Sequence, residues 1–148
     1  MGAWDMGPWD NDTALDWGIE LLDEMSPADL VHMLRRIGAA SGPLDMEEGE
    51  IAVAAASVLL AWHPRRPYEL QEEVVMWLDE SGWQPDEAAL AAARSAIERV
   101  LGPGSELAEQ WDESGDGWRT FTRAWASLLD LRAMAGAGWQ LYGADSEE

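Results

Sequence analysis

Apolar residues recur every three or four positions through most of the chain, a period that predicts amphipathic helices. Ala14, Leu15, Trp17, Gly18, Leu21, Leu22 and Met25 fall on one side of a first helix, with Asp12, Asp16, Glu20, Asp23 and Glu24 on the other. Asp10 or Asn11 supplies its cap, since a short side-chain oxygen can accept an orphan amide. Ser26-Pro27-Ala28-Asp29 is a second helix start, with Leu30, Val31, Leu34 and Ile37 as its apolar side and Arg35 and Arg36 near its negative end. After the Gly42-Pro43 break, Asp45 to Glu48 reads as a capping box for a third helix. From Ile51 to Trp62 that helix is apolar nearly all round, with Ser57 its only polar residue, so it is expected at the centre of the fold; Pro64 stops it.

A fourth helix is predicted from about Tyr68 to Ser81 on Leu70, Val74, Trp77 and Leu78, closed by Gly82. Pro85 marks the start of a fifth, with Leu90, Ala93, Ile97, Val100 and Leu101 as its stripe and Gly102-Pro103-Gly104 as its end. Ser105 caps a short sixth helix carrying Leu107 and Trp111. Beyond the polar loop from Asp112 to Gly117, the residues Trp118, Phe121, Trp125, Leu128 and Arg132 outline a seventh. Trp139, Leu141 and Tyr142 are expected to tuck back onto the body. No alternating run is long enough to predict a strand. The expected architecture is all-α: a single compact domain over residues 1–144 of about seven helices around a central apolar helix, with residues 145–148 as a disordered acidic tail.

The stretch from Gly2 to Trp17 departs from this helical pattern. It holds Trp4, Trp9 and Trp17 and a Gly7-Pro8 turn, and predicts an irregular tryptophan-rich segment pinned on the helical body. Such a lid would partly cover Asp16, whose carboxylate would then hold its free amides.

Charge narrows the function classes. The chain carries 29 acidic and 9 basic residues, a net charge of −20, and every basic residue is arginine. This field opposes nucleic acids and anionic membrane surfaces, and suits solubility, a cation or a basic protein partner. Without cysteine there is no disulfide framework, thiolate metal site or thiol nucleophile. The longest apolar run is too short to span a bilayer, and no secretory signal pattern is present, so a soluble cytoplasmic protein is expected.

Few constellations suggest chemistry. Asp10-Asn11-Asp12 resembles the start of a calcium loop, but Leu15 and Leu21 stand where that loop needs glycine and glutamate. Asp12, Asp16 and Glu20, spaced four apart, put like charges on one helical face, either solvated or kept for a cation or basic partner. Trp83 lies in a predicted loop without periodic support, a position suited to a binding anchor. Asp29-x-x-His32 has no second acid-x-x-His motif to make a di-iron site. Arg35, Arg36, Arg65 and Arg66 are read as neutralising nearby carboxylates rather than meeting an anionic ligand. Glu47/Glu50 and Glu69/Glu72 form Glu-x-x-Glu pairs such as helical nucleotide pyrophosphatases of the MazG type use for magnesium. The first Glu-x-x-Asp pair after them, Glu109/Asp112, lies far down the chain beyond another helix. No phosphate loop, dinucleotide fingerprint or nucleophile triad is present.

The opening Met1-Gly2-Ala3-Trp4, Gly7-Pro8-Trp9-Asp10-Asn11-Asp12, Ala14 and Asp16-Trp17 resembles the start of a bacterial family known as domain of unknown function 4259. Ser105-Glu106-Leu107, Trp111 and the acidic loop before Trp118 are similar to that family as well, so the resemblance reaches to about Leu131. Asp5 departs from the family's usual glycine. The resemblance implies a mostly helical bacterial cytosolic protein and carries over no activity. The leading expectation is a non-catalytic protein-binding module, inhibitor- or immunity-like, for a basic partner through Asp12, Asp16, Glu20 and Trp83, with no cofactor. The alternative is a magnesium- or manganese-dependent hydrolase using Glu47, Glu50, Glu69 and Glu72.

Overall fold

In the computed structural model, which describes residues 11–60, 72–81 and 85–130 apart from the side chains at 60, 72, 75 and 78, Asn11 opens the first helix. Its side-chain oxygen accepts the Ala14 amide at 2.7 Å, and α1 runs Asp12–Glu24. Ser26 and Asp29 exchange reciprocal bonds at the head of α2 (Pro27–Ala39), the capping box expected there. The box at α3 (Met46–Leu60) is shared instead. Asp45 accepts the Glu48 amide at 2.8 Å, whereas the Met46 amide goes to Glu106 Oε1 at 2.7 Å, from a distant part of the chain.

α4 spans Glu72–Ser81 in the described residues, and the predicted start near Tyr68 lies outside them. α5 (Glu87–Leu101) begins later than predicted. Asp86 rather than Pro85 governs its start, because the Asp86 carboxylate accepts the Ala89 amide at 2.8 Å while Pro85 stands before the cap. Ser105 caps α6 (Glu106–Asp112) as expected, and residues 117–130 form α7. Residues 1–10, Trp62, Pro64, Gly82 and residues 131–148 lie outside the described residues, and of the opening stretch Asp12 to Trp17 is helical rather than irregular.

α3 is the hub. Its residues 52–59 are all buried, and the helix touches α1, α2, α5 and α6. Four alanines, Ala52, Ala54, Ala55 and Ala56, keep its surface low enough for neighbours to approach on several sides. Ser57 is tolerated there because its hydroxyl donates to the Ala54 carbonyl at 2.6 Å. α2 and α5 form the most extensive helix pair, with Leu30, Leu34 and Ile37 facing a core that includes Leu90, Ala93, Ile97 and Val100. Gly38 permits their close approach.

On α7 the buried positions are Trp118, Thr122, Trp125, Ala126 and Leu129. Phe121, predicted for that stripe, is 41% exposed, and Leu128 is only partly covered. The 3.6-residue period places Thr122 and Leu129 beside Trp118 and Trp125 on the buried side, and Phe121 and Leu128 at its edge. Phe121 keeps an edge-on contact with Trp125, at 6.3 Å between ring centroids, and Trp118 stacks on Trp111 across the α6–α7 turn.

Among the described residues the sole β pairing is a parallel bridge between Leu44 and Ser105. The Leu44 amide donates to the Gly104 carbonyl at 2.8 Å and the Glu106 amide to the Leu44 carbonyl at 2.9 Å. Gly42 and Gly104, at φ of 86° and 80°, supply the left-handed backbone that brings the two linkers side by side. The Arg99 guanidinium fastens the same region, donating to the carbonyls of Ala40, Gly42 and Pro103.

Candidate functional site

α1 carries five carboxylates and no basic residue. Ala14, Trp17, Gly18 and Leu21 are buried, so the opposite side must face water. At 100° per residue, Asp12, Asp16, Ile19 and Asp23 fall on one ridge of that outer side, with Glu20 and Glu24 flanking it. All six are exposed. The ion pairs among the described residues lie elsewhere: Arg36 with Glu48, Arg94 with Glu98 and Asp130, and Arg119 with Asp112. Among the described residues, the α1 acids are thus left without a neutralising cation.

That arrangement has a cost. Each i,i+4 pair of like charges along Asp12, Asp16, Glu20 and Glu24 opposes the helix by about 0.2–0.5 kcal/mol. Asp23 and Glu24 also stand at the negative end of the helix dipole, where acids are disfavoured. Within this ridge Ile19 is 62% exposed, the most exposed large apolar side chain among the described residues. A cationic surface laid against α1 would relieve the repulsion and cover the isoleucine together.

The inner edge of α1 meets a carboxyl of a different kind. Glu50 on α3 is only 7% exposed and is hydrogen-bonded to the Thr13 side chain. Burial pushes its pKa up; the Thr13 bond pulls the other way, and the charges of Glu47 and Asp12 add to the rise. Glu50 therefore holds its proton more readily than a solvated glutamate and pins α3 to the first turn of α1.

The candidate residues that are described do not gather at one point. Asp12, Asp16 and Glu20 share α1, but Asp16 is exposed rather than partly covered. Glu47 is exposed while Glu50, one turn on, is buried. Trp83, Glu69 and the Glu72 side chain lie outside the described residues. Among the described residues no three His, Cys, Asp or Glu side chains are placed to hold a metal ion. His32 is exposed on α2, and Arg36 reaches Glu48 at 3.8 Å, in line with the neutralising role read for the arginines.

Sequence reasoning passed over Ile19. Its signal is its register, seven residues after Asp12, three after Asp16 and four before Asp23, which puts an apolar side chain on the acidic side. It also passed over the burial of Glu50, whose sign is that it directly adjoins the apolar run of α3.

The family model for domain of unknown function DUF4259 matches residues 2–124, and the chain belongs to that family. The match includes all of α1 to α6 and the first half of α7. No curated protein and no solved structure matches the chain. Among the described residues, no helix is long and apolar enough to cross a membrane.

Proposed function

We propose that this chain is a non-catalytic protein-binding module of the bacterial cytoplasm, inhibitor- or immunity-like, that engages a basic partner through the outer face of α1. The observation that supports the reading is the acidic ridge, which has no ion-pair partner among the described residues, with exposed Ile19 among its carboxylates. An apolar centre inside a charged rim is the common composition of a protein interface. A net charge of −20 would steer a cationic partner toward the surface and raise its association rate. Asp12, Asp16 and Glu20 supply complementarity in this reading, and Ile19 supplies the surface that becomes dry.

The test is a pull-down with the tagged chain at low and moderate salt, repeated with an Asp16→Asn/Glu20→Gln variant and with Ile19→Ser. A partner held by this face is lost at moderate salt, weakened by the charge variant, and weakened further by Ile19→Ser. Partners indifferent to salt and to all three substitutions would remove the reading.

A further inference from the structure

Between α5 and α7 lies an open cleft of about 380 Å³ to which α1 contributes nothing. That volume falls within the range of small-molecule sites, roughly 300–1,000 Å³. Arg94, Glu98 and Leu101 line one side, and Arg123, Ala126 and Ser127 the other. Two of the nine arginines in a strongly acidic chain therefore face a single cleft.

The two guanidiniums are not equivalent. Arg94 is committed, with its Nε 3.0 Å from Asp130 and its Nη2 3.3 Å from Glu98. Arg123 is exposed and pairs with no carboxylate among the described residues. Ser127 follows it by four residues on α7, so its hydroxyl lies on the same side of the helix. Leu101 and Ala126 add apolar surface.

Charge and shape together select the ligand. One free guanidinium offers one positive charge and a planar fork of donors that matches a carboxylate. Glu98, already at the wall, opposes a second negative charge, which disfavours phosphate. We propose that the cleft binds a small monocarboxylate, its head on Arg123 with Ser127 as a further donor and its short hydrocarbon body against Leu101 and Ala126. This site stands apart from the α1 face and does not depend on how that face is used.

The test is titration of the full chain with benzoate, followed by amide chemical shifts, with neutral benzamide and inorganic phosphate as comparison probes. Benzoate is expected to shift the amides of Gly102, Arg123, Ala126 and Ser127 saturably in the millimolar range, and the other two probes are not. Arg123→Gln should weaken benzoate by about tenfold or more, because a charge-assisted bond is lost. Arg123→Lys should weaken it less, since the charge is kept and only the fork is lost. Both variants replace an exposed side chain that pairs with no carboxylate among the described residues, and their unchanged amide spectra elsewhere establish that the fold is retained. Benzoate that leaves these amides unmoved, binds Arg123→Gln as well as the parent chain, or binds no better than phosphate would overturn the proposal.

Discussion

Gly38 on α2 lies so near Ser95 on α5 that a Cβ built on the glycine would stand 2.9 Å from the Ser95 Cβ and 3.2 Å from the Ala96 amide nitrogen. Neither neighbour is the free end of a flexible side chain, so the helices themselves would have to separate. Gly38→Ala is expected to destabilise the protein in urea titration. An overpacking cost of about 1–3 kcal/mol opposes a gain in helix propensity of at most about 1 kcal/mol. Combined with Ser95→Gly, it should cost less than the two single changes added together. A Gly38→Ala protein as stable as the parent would show that α2 and α5 yield freely.

Asn11 is buried and its side chain holds the Ala14 amide. Asn11→Ala should lose about 1 kcal/mol, with 2 as the upper end of what such caps contribute, and Asn11→Ser should recover most of it. Thermal unfolding reads this as a fall of roughly 2–4 °C per kcal/mol for a chain of this size. An unchanged melt for Asn11→Ala would mean that another group takes the amide.

Glu50 gives a pH dependence whose sign is set by its raised pKa. In the interval above the ordinary glutamate value of about 4.5 and up to the folded pKa, the folded chain binds more proton at this site than the unfolded chain does. Stability from Glu50 is therefore greatest at low pH and is lost as pH rises through the folded value. Glu50→Gln keeps a partner for Thr13 without the buried charge. Its melting temperature should exceed that of the parent at neutral pH, with the difference closing toward pH 4. A difference independent of pH would show that the carboxyl stays ionised throughout.

Thr122 is buried and its hydroxyl has no hydrogen-bond partner among the described residues. Thr122→Val keeps the shape and removes an unsatisfied polar group, so a gain of about 1 kcal/mol is expected in denaturant unfolding. A loss of similar size would mean that the hydroxyl does make a bond in solution.

Much of the fold was legible because helix signals are local. Ser26, Ser105 and Asn11 are caps that can be read from a few neighbouring residues, and the all-apolar run after Ile51 identified the central helix. What could not be read was long-range. Nothing near Met46 announces that its amide is claimed by Glu106, and nothing near Glu50 says that Thr13 will cover it. The outer face of α1 was half legible. Its acids follow from periodicity, whereas the exposure of Ile19 depends on no other helix reaching that side.

The pairing of Leu44 with Ser105, and of Met46 with Glu106 beside it, bears on the order of folding events. Most bonds in a helical protein close between residues four apart and form within a microsecond or so. This junction closes a loop of some sixty residues, with an entropic cost that must be met before its contacts return anything. The first turn of α3 should then be among the last parts of that helix to become protected from solvent exchange, arriving only when α6 docks, although α3 sits at the middle of the finished molecule.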